Sequence, residues 1–270
     1  MNNLIVKLQL VLAACLVILS TNAIAAEQKH IVIYGSTGKA GSNIVLEALA
    51  RGHKVTAVTR DLKRIKEKFK IDGPVADNFF PVQSDITDID LVRKTVSGAD
   101  VVFVAVGYSG SPDNDPVKTV QYKAAKNLIA VAHELGDSAP RIIQFAGTST
   151  LQYRDGYYRD LYPPSKKSSQ VGTKEHANSY GHFLTVELYK SESDLGWTIF
   201  SPNLTGVAKR GVRTGNFQTT EAIIEFELDE SKEFNEFEHL LPLSWEDFGV
   251  AILNEIENPQ YIRGHFTAHY

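Results

Sequence analysis

The sequence predicts an α/β domain built on a doubly wound parallel sheet, and three observations carry that prediction. The apolar run His30-Ile31-Val32-Ile33-Tyr34 ends at Gly35, with Gly38 and Gly41 following before an amphipathic stretch containing Ile44, Val45, Ala48 and Leu49. From residue 30 to the C-terminus, strand-length apolar runs alternate with helix-length segments, the signature of right-handed strand–helix–strand units. Finally, Ala99 to Gly107 is apolar almost throughout, as a parallel strand covered on both faces must be.

The glycine turn between the first strand and the first helix points to a nucleotide. Gly35 lets the chain leave the strand sharply, Gly38 lets the backbone approach a pyrophosphate, and Gly41 lets the helix pack close to the sheet. The helix N-terminus offers free N–H groups and a positive dipole end to phosphate. Gly35, Ser36, Thr37, Gly38, Lys39, Ala40 and Gly41 are therefore candidate cofactor contacts.

The first helix runs to about Arg51 and stops at Gly52; the second strand is Lys54 to Thr59. Arg60 follows, with Lys63 and Arg64 nearby. An acid at this strand end would bond a ribose 2′-hydroxyl, whereas an Arg accommodates a 2′-phosphate, so Arg60 favours NADP, with NAD possible. A helix is expected over Leu62–Phe69 and a third strand over Phe80–Asp85. Asp85 and Ile86 are placed beside the adenine, and Asp88 or Thr87 as the cap of the next helix. Ala105, Val106 and Gly107 end the fourth strand with small residues against which a ribose or nicotinamide fits.

A polar loop, Tyr108–Pro116, leads to a helix over Val117–Leu135, then a fifth strand over Arg141–Ala146 and Gly147-Thr148-Ser149-Thr150 at its C-terminal end. Leu151–Gly172 is a long loop carrying Tyr153, Tyr157, Tyr158 and Tyr162, either stacking on a flat ligand or covering the pocket. A helix over about Glu175–Ser193, a sixth strand ending at Pro202, a turn at Arg213–Phe217, a helix from Ser244 to about Glu257 and a last strand over Gly264–Ala268 complete the chain. Ser244 and Asp247 approximate an N-cap with its N3 partner.

The bulk numbers bound the rest. In the 270-residue chain, Lys7 precedes an apolar run from Leu8 to Leu19, and Ala23-Ile24-Ala25 has the form a signal peptidase cuts. Residues 1–25 read as a signal peptide and 26–270 as one domain, which places the protein in the periplasm or outside the cell. The alternatives are a lipoprotein anchored through Cys15, in Leu12-Ala13-Ala14-Cys15, and an uncleaved anchor. Cys15 is the only cysteine, so the mature domain forms no disulfide. The net charge of −4 argues against a general nucleic-acid binder. The partner expected is a small molecule, with no membrane span after cleavage and no metal, since no His/Cys/Asp/Glu group has ligand spacing.

Gly35-Ser-Thr-Gly-Lys-Ala-Gly41, Asp85-Ile-Thr-Asp88, Trp197-Thr-Ile-Phe-Ser-Pro202, Arg213-Thr-Gly-Asn-Phe217 and Ser244-Trp-Glu-Asp-Phe-Gly-Val-Ala251 occur in this order. Together they resemble the NAD(P)H-binding atypical short-chain dehydrogenases/reductases, the NADH-flavin reductase-like group. The resemblance implies a Rossmann-like sheet with a small C-terminal substrate-side region, and adds Pro202 to the cofactor contacts. Most short-chain reductases use Tyr and Lys one helical turn apart and a Ser ending the fifth strand. Aligned on Glu187, the Lys position is Phe183 and Tyr180 is one residue off, so the pair is missing from the expected helix.

Tyr122-Lys-Ala-Ala-Lys126 has the spacing but lies in the wrong helix. Tyr162-Pro-Pro-Ser-Lys166 has it too, provided a helix begins at Pro163 and Pro164. His176 and His182 are candidate proton donors near neutral pH. Ser149, Tyr162, Lys166 and His182 thus remain as catalytic candidates. The function expected is hydride transfer from NAD(P)H to a planar acceptor such as a flavin or quinone, which solvent can protonate. The alternatives are a non-catalytic nucleotide sensor and a sugar-nucleotide epimerase-like enzyme, the latter disfavoured by the absent pair.

Overall fold

The structure is a computed structural model describing residues 27–71, 73–107, 111–161, 165–204, 206–208, 211–224 and 242–270. The signal segment with Cys15, and Tyr162, lie outside the described residues. Strands β1 (His30–Tyr34), β2 (Lys54–Thr59), β3 (Phe79–Gln83), β4 (Val101–Val104) and β5 (Arg141–Phe145) are followed by β6 (Gln152–Tyr153), β7 (Gly156–Tyr157), β8 (Trp197–Phe200), β9 (Val207–Ala208), β10 (Gln218–Glu221), β11 (Leu243–Ser244) and β12 (Gly264–His269). Helices are α1 (Lys39–Ala50), α2 (Leu62–Lys68), α3 (Ile89–Val96), α4 (Val120–Leu135), α5 (Lys174–Lys190) and α6 (Trp245–Glu257).

One sheet holds eight strands in the order β10-β12-β8-β5-β4-β1-β2-β3. Seven run parallel, and only β10 pairs antiparallel, with β12. The order reverses between β1 and β4, the switch point at which open α/β sheets bind ligands. Alternation along β1 feeds both cores. Ile31 and Ile33 pack with Ile44, Val45 and Ala48 of α1 and Phe248 and Ile252 of α6. Val32 and Tyr34 pack with Val92 of α3, Leu128 of α4 and Val186 of α5.

Three expectations shift. The third strand ends at Gln83, because Asp85 folds its own turn: its Oδ1 accepts from the N–H and the hydroxyl of Thr87. The fourth helix starts at Val120 rather than Val117, because Asp115 and Pro116 open a separate 3-10 turn and Thr119 stays extended. β10 was not anticipated; its sequence Gln-Thr-Thr-Glu lacks an apolar face and reads as loop.

Candidate active site

The C-terminal ends of β1 to β4 open on a cleft of about 620 Å³, within the size range of small-ligand sites, ~300–1,000 Å³. Its floor is backbone. Gly35 has φ +79°, and a Cβ there would lie 2.3 Å from the Ala105 carbonyl oxygen. A Cβ on Gly41 would lie 2.3 Å from the Gly35 carbonyl oxygen. The turn, the end of β4 and the start of α1 are therefore in direct main-chain contact, which only glycine permits. Gly38 is the exposed N-cap of α1, and no side chain caps that helix, so its first amides are left for a ligand.

Of the turn residues, Gly35, Thr37 and Gly38 line the cleft. The Ser36 hydroxyl is instead buried and donates to the Val58 carbonyl (2.7 Å), tying the turn to β2. Ala40 and Gly41 are buried beneath the turn, and Lys39 is exposed outside the lining. Pro202 is buried after β8 and also lies outside the lining.

At the β2–β3 end, Arg60 and Arg64 line the cleft, are exposed, and make no ion pair among the described residues. Lys63 instead pairs with Glu67 (3.9 Å). Opposite stand Lys123 and Lys118, the latter held by Asp113 (3.0 Å) and Asp115 (3.7 Å). Asp85 and Ile86 line this end too. Capping of α3 falls to Asp88, which accepts from the N–H groups of Asp90 and Leu91. Asn127 of α4 donates to the Ile86 carbonyl (2.9 Å) and holds this loop in place.

Ala105, Val106 and Gly107 carry the lining towards β5. There α5 brings His182 close to the cleft, although neither His182 nor Ser149 lines it. An ideal Cβ on Gly107 would lie 3.7 Å from His182 Cε1, and one on Gly147 would lie 3.4 Å from His182 Cδ2 and 3.3 Å from Ser149 Oγ. The ring thus sets Cε1 against the end of β4 and its Cδ2–Cγ side against Gly147 beyond β5. α5 comes this close because Gly181 crosses α4 where a Cβ would sit 2.5 Å from Thr119 Oγ1. Burial pushes the His182 imidazole down to about 4. Burial thus favours the neutral ring at pH 7. Its Nδ1 is buried without a hydrogen-bond partner, and Ser149 is buried at the same edge.

The remaining catalytic candidates do not assemble. Lys166 is half-buried, with burial lowering its ammonium to about 8, but it precedes the 3-10 turn Lys167–Ser169, and no helix begins before Lys174. Lys166 itself is extended rather than helical, and Tyr162 lies outside the described residues. Phe183, at the expected Lys position, packs on Tyr157 (5.2 Å) and Tyr180 (5.3 Å). His176 stacks on Tyr180 (5.6 Å), and burial with the nearby Arg159 lowers its pKa. Among the loop tyrosines, Tyr153 and Tyr158 are buried in a satellite core with Leu151, Ala222 and Ile224. Tyr157 donates to Glu187 and accepts from Lys190 (2.7 Å).

Asp247 also departs from expectation. The Ser244 hydroxyl accepts from the Asp247 N–H (3.0 Å), as a cap should. The Asp247 carboxylate does not reach back; it takes the N–H and hydroxyl of Thr214, the N–H of Gly215 and the Tyr270 hydroxyl. Burial alone would raise this carboxyl, and the hydrogen bonds outweigh it and hold it below its usual range. Folding also gathers His133, Glu192 and Asp194 on the surface, residues that sequence spacing does not connect.

A family model described as NAD(P)H-binding matches residues 35–222. The chain belongs to the NAD(P)H-binding family. The glycine turn, Arg60 and the α5 edge all fall inside the matched segment. The chain is 23% identical over 245 residues to the Bacillus subtilis protein YwnB, which is described as uncharacterized, covering 87% of this chain and 95% of that one. It is 26% identical to an exported-protein candidate from Burkholderia pseudomallei, whose crystal structure superposes with a TM-score of 0.62 over 90% of this chain and 100% of that one. A candidate NADH-flavin reductase from Streptococcus pneumoniae shares the fold, with a TM-score of 0.64 at 21% identity over 89% of this chain and 99% of that one.

Proposed function

We propose that this protein is an NADPH-dependent oxidoreductase that passes hydride to a planar acceptor such as a flavin or quinone. The residues of the cleft fit the dinucleotide: an uncapped helix N-terminus, a glycine floor no Cβ could share, and two guanidiniums that make no ion pair among the described residues. The α1 amides and Gly38 hold the pyrophosphate, Arg60 and Arg64 the 2′-phosphate, and the Asp85–Ile86 turn the adenine. Bound there, NADPH supplies the hydride.

The observation that carries the reading is the neutral His182 at the ends of β4 and β5. A buried lone pair is tolerated without a partner better than a buried N–H, so the proton of the neutral ring sits on Nε2 and faces the site. From there it donates a hydrogen bond to the acceptor atom on which negative charge grows, and the Ser149 hydroxyl offers a second donor. Neither group gives up a proton, which suits an acceptor that solvent protonates and explains why no Tyr–Lys pair is needed. The likeness to the exported-protein candidate supports export, with the mature chain beginning near Ala26.

The test is titration of the chain from Ala26 with NADPH and NADH, then NADPH oxidation with riboflavin or menadione. Tight NADPH binding and turnover that falls in His182→Ala support the enzyme. NADPH binding without turnover on any flavin or quinone would establish the sensor instead.

A further inference from the structure

Gln121, the second residue of α4, is 1% exposed, and its two amide atoms have opposite fates. Nε2 donates to the Asn178 main-chain oxygen (3.2 Å) and to Asn178 Oδ1 (3.3 Å). A main-chain oxygen only accepts, so the nitrogen must occupy that side and the carbonyl the other. Oε1 therefore points away from α5 towards Gly107, where an ideal Cβ would lie 3.4 Å from it. It accepts no hydrogen bond among the described residues, and Gly107 lines the cleft beside Val106. Gln121 itself is outside the lining, but this oxygen is held in a fixed orientation and is not sealed from solvent, so a ligand's donor can take the place of water there.

We propose that Gln121 Oε1 is the docking atom for the nicotinamide riboside half of the dinucleotide, accepting a hydrogen bond from one of that half's donors. This rests on the dinucleotide reading above and deepens it. The chemistry selects that half. An amide oxygen repels phosphate and carboxylate, so the group it takes must carry an O–H or N–H, and the riboside half offers ribose hydroxyls and a carboxamide. The neutral His182 beside it adds no positive charge that would draw the phosphates there instead. The two bonds to Asn178 make Gln121 a positioning residue: α5 sets the amide, and the amide sets the reactive ring relative to His182.

The experiment compares the binding of NADPH and of adenosine 2′,5′-bisphosphate, which lacks the riboside half, to the chain from Ala26 and to Gln121→Met. The expected result is about tenfold weaker NADPH binding in the variant with unchanged bisphosphate binding. Equal affinity for NADPH in both proteins overturns the proposal, and so does parallel loss of both ligands, which marks a packing role. Failure of the unsubstituted chain to bind either ligand sinks the dinucleotide reading itself. Should Gln121→Met not fold, the side-chain amide resonance of Gln121 in the unsubstituted protein decides. It must shift with NADPH and stay still with the bisphosphate, and a resonance that ignores NADPH overturns the proposal. The reduced 3-acetylpyridine analogue of NADPH has no carboxamide N–H. Weakened binding of that analogue identifies the carboxamide as donor, and retained binding identifies a ribose hydroxyl.

Discussion

The two ends of the cleft are built from opposite materials. At the β2–β3 end the groups are charged and exposed: Arg60 and Arg64 reach into solvent without acidic partners among the described residues. At the β4–β5 end they are neutral and buried: His182, Gln121 and Ser149 are wedged against glycines. On the proposed function the first end takes the charged part of the ligand from the surface, and that contact weakens with salt. The second relies on hydrogen bonds in fixed directions and tolerates little movement. Between them runs a floor of main chain, Gly35 against Ala105; His182, Gln121 and Ser149 stand behind Gly107 and Gly147, outside the cleft lining itself.

The largest effect is expected where that floor is broken. Gly41→Val would drive side-chain atoms into the Gly35 carbonyl; a destabilisation of about 3 kcal/mol, measured by urea unfolding, should come with loss of NADPH binding. If cofactor affinity survives, the turn is not the pyrophosphate cradle.

The buried end should announce itself through pH. The folded pKa of His182, about 4, lies below its ordinary 6.5, so unfolding takes up a proton between those values. The stability due to its burial is full above about pH 6.5 and is lost as pH falls through 4. His265, which burial and Lys190 bring down to about 3, adds to the same trend. Replacing His182 with Gln should reduce the stability lost between pH 7 and 4 by on the order of 3 kcal/mol, read from urea midpoints at each pH. Curves that remain parallel to the original would mean the imidazole is not buried neutral.

Away from both ends, Asp247→Ala should cost about 2 kcal/mol by stranding the donors of Thr214, Gly215 and Tyr270. Its NADPH affinity should stay intact, since the clasp lies outside the cleft lining; a matching drop in affinity would join the clasp to the site. The smallest change belongs to the charged end. Arg60→Ala should weaken NADPH about tenfold and NADH hardly at all, an effect that shrinks as salt rises. Equal losses for the two cofactors would remove the 2′-phosphate from Arg60.

Much of the charged end was legible in the residues. Gly35, Gly38 and Gly41 mark a turn that nothing else can make, and Arg60 follows a strand whose length fixes where it emerges. The neutral end was not. The alignment on Glu187 puts Phe183 at the Lys position of the family and leaves His182 beside it as a lone candidate. Helical phase sends Phe183 to Tyr157 and leaves His182 against Gly107 and Gly147, and a shift of one residue is about 100° of rotation. Gln121 and Asn127 carry no motif at all. They read as ordinary polar positions on α4, and their roles come from Asn178 and Ile86, far away in the chain.

The sequence by itself determined the doubly wound sheet, the family and the glycine turn, because each follows from local periodicity and from main-chain geometry that only glycine can adopt. The tertiary structure decided which polar groups are free and which are spent. It buried Ser36 on Val58, clasped Asp247 to Thr214, left Arg60 and Arg64 unpaired among the described residues, and made His182 neutral by surrounding it. Those outcomes depend on neighbours distant in the chain and on the exclusion of water, which no reading of adjacent residues supplies.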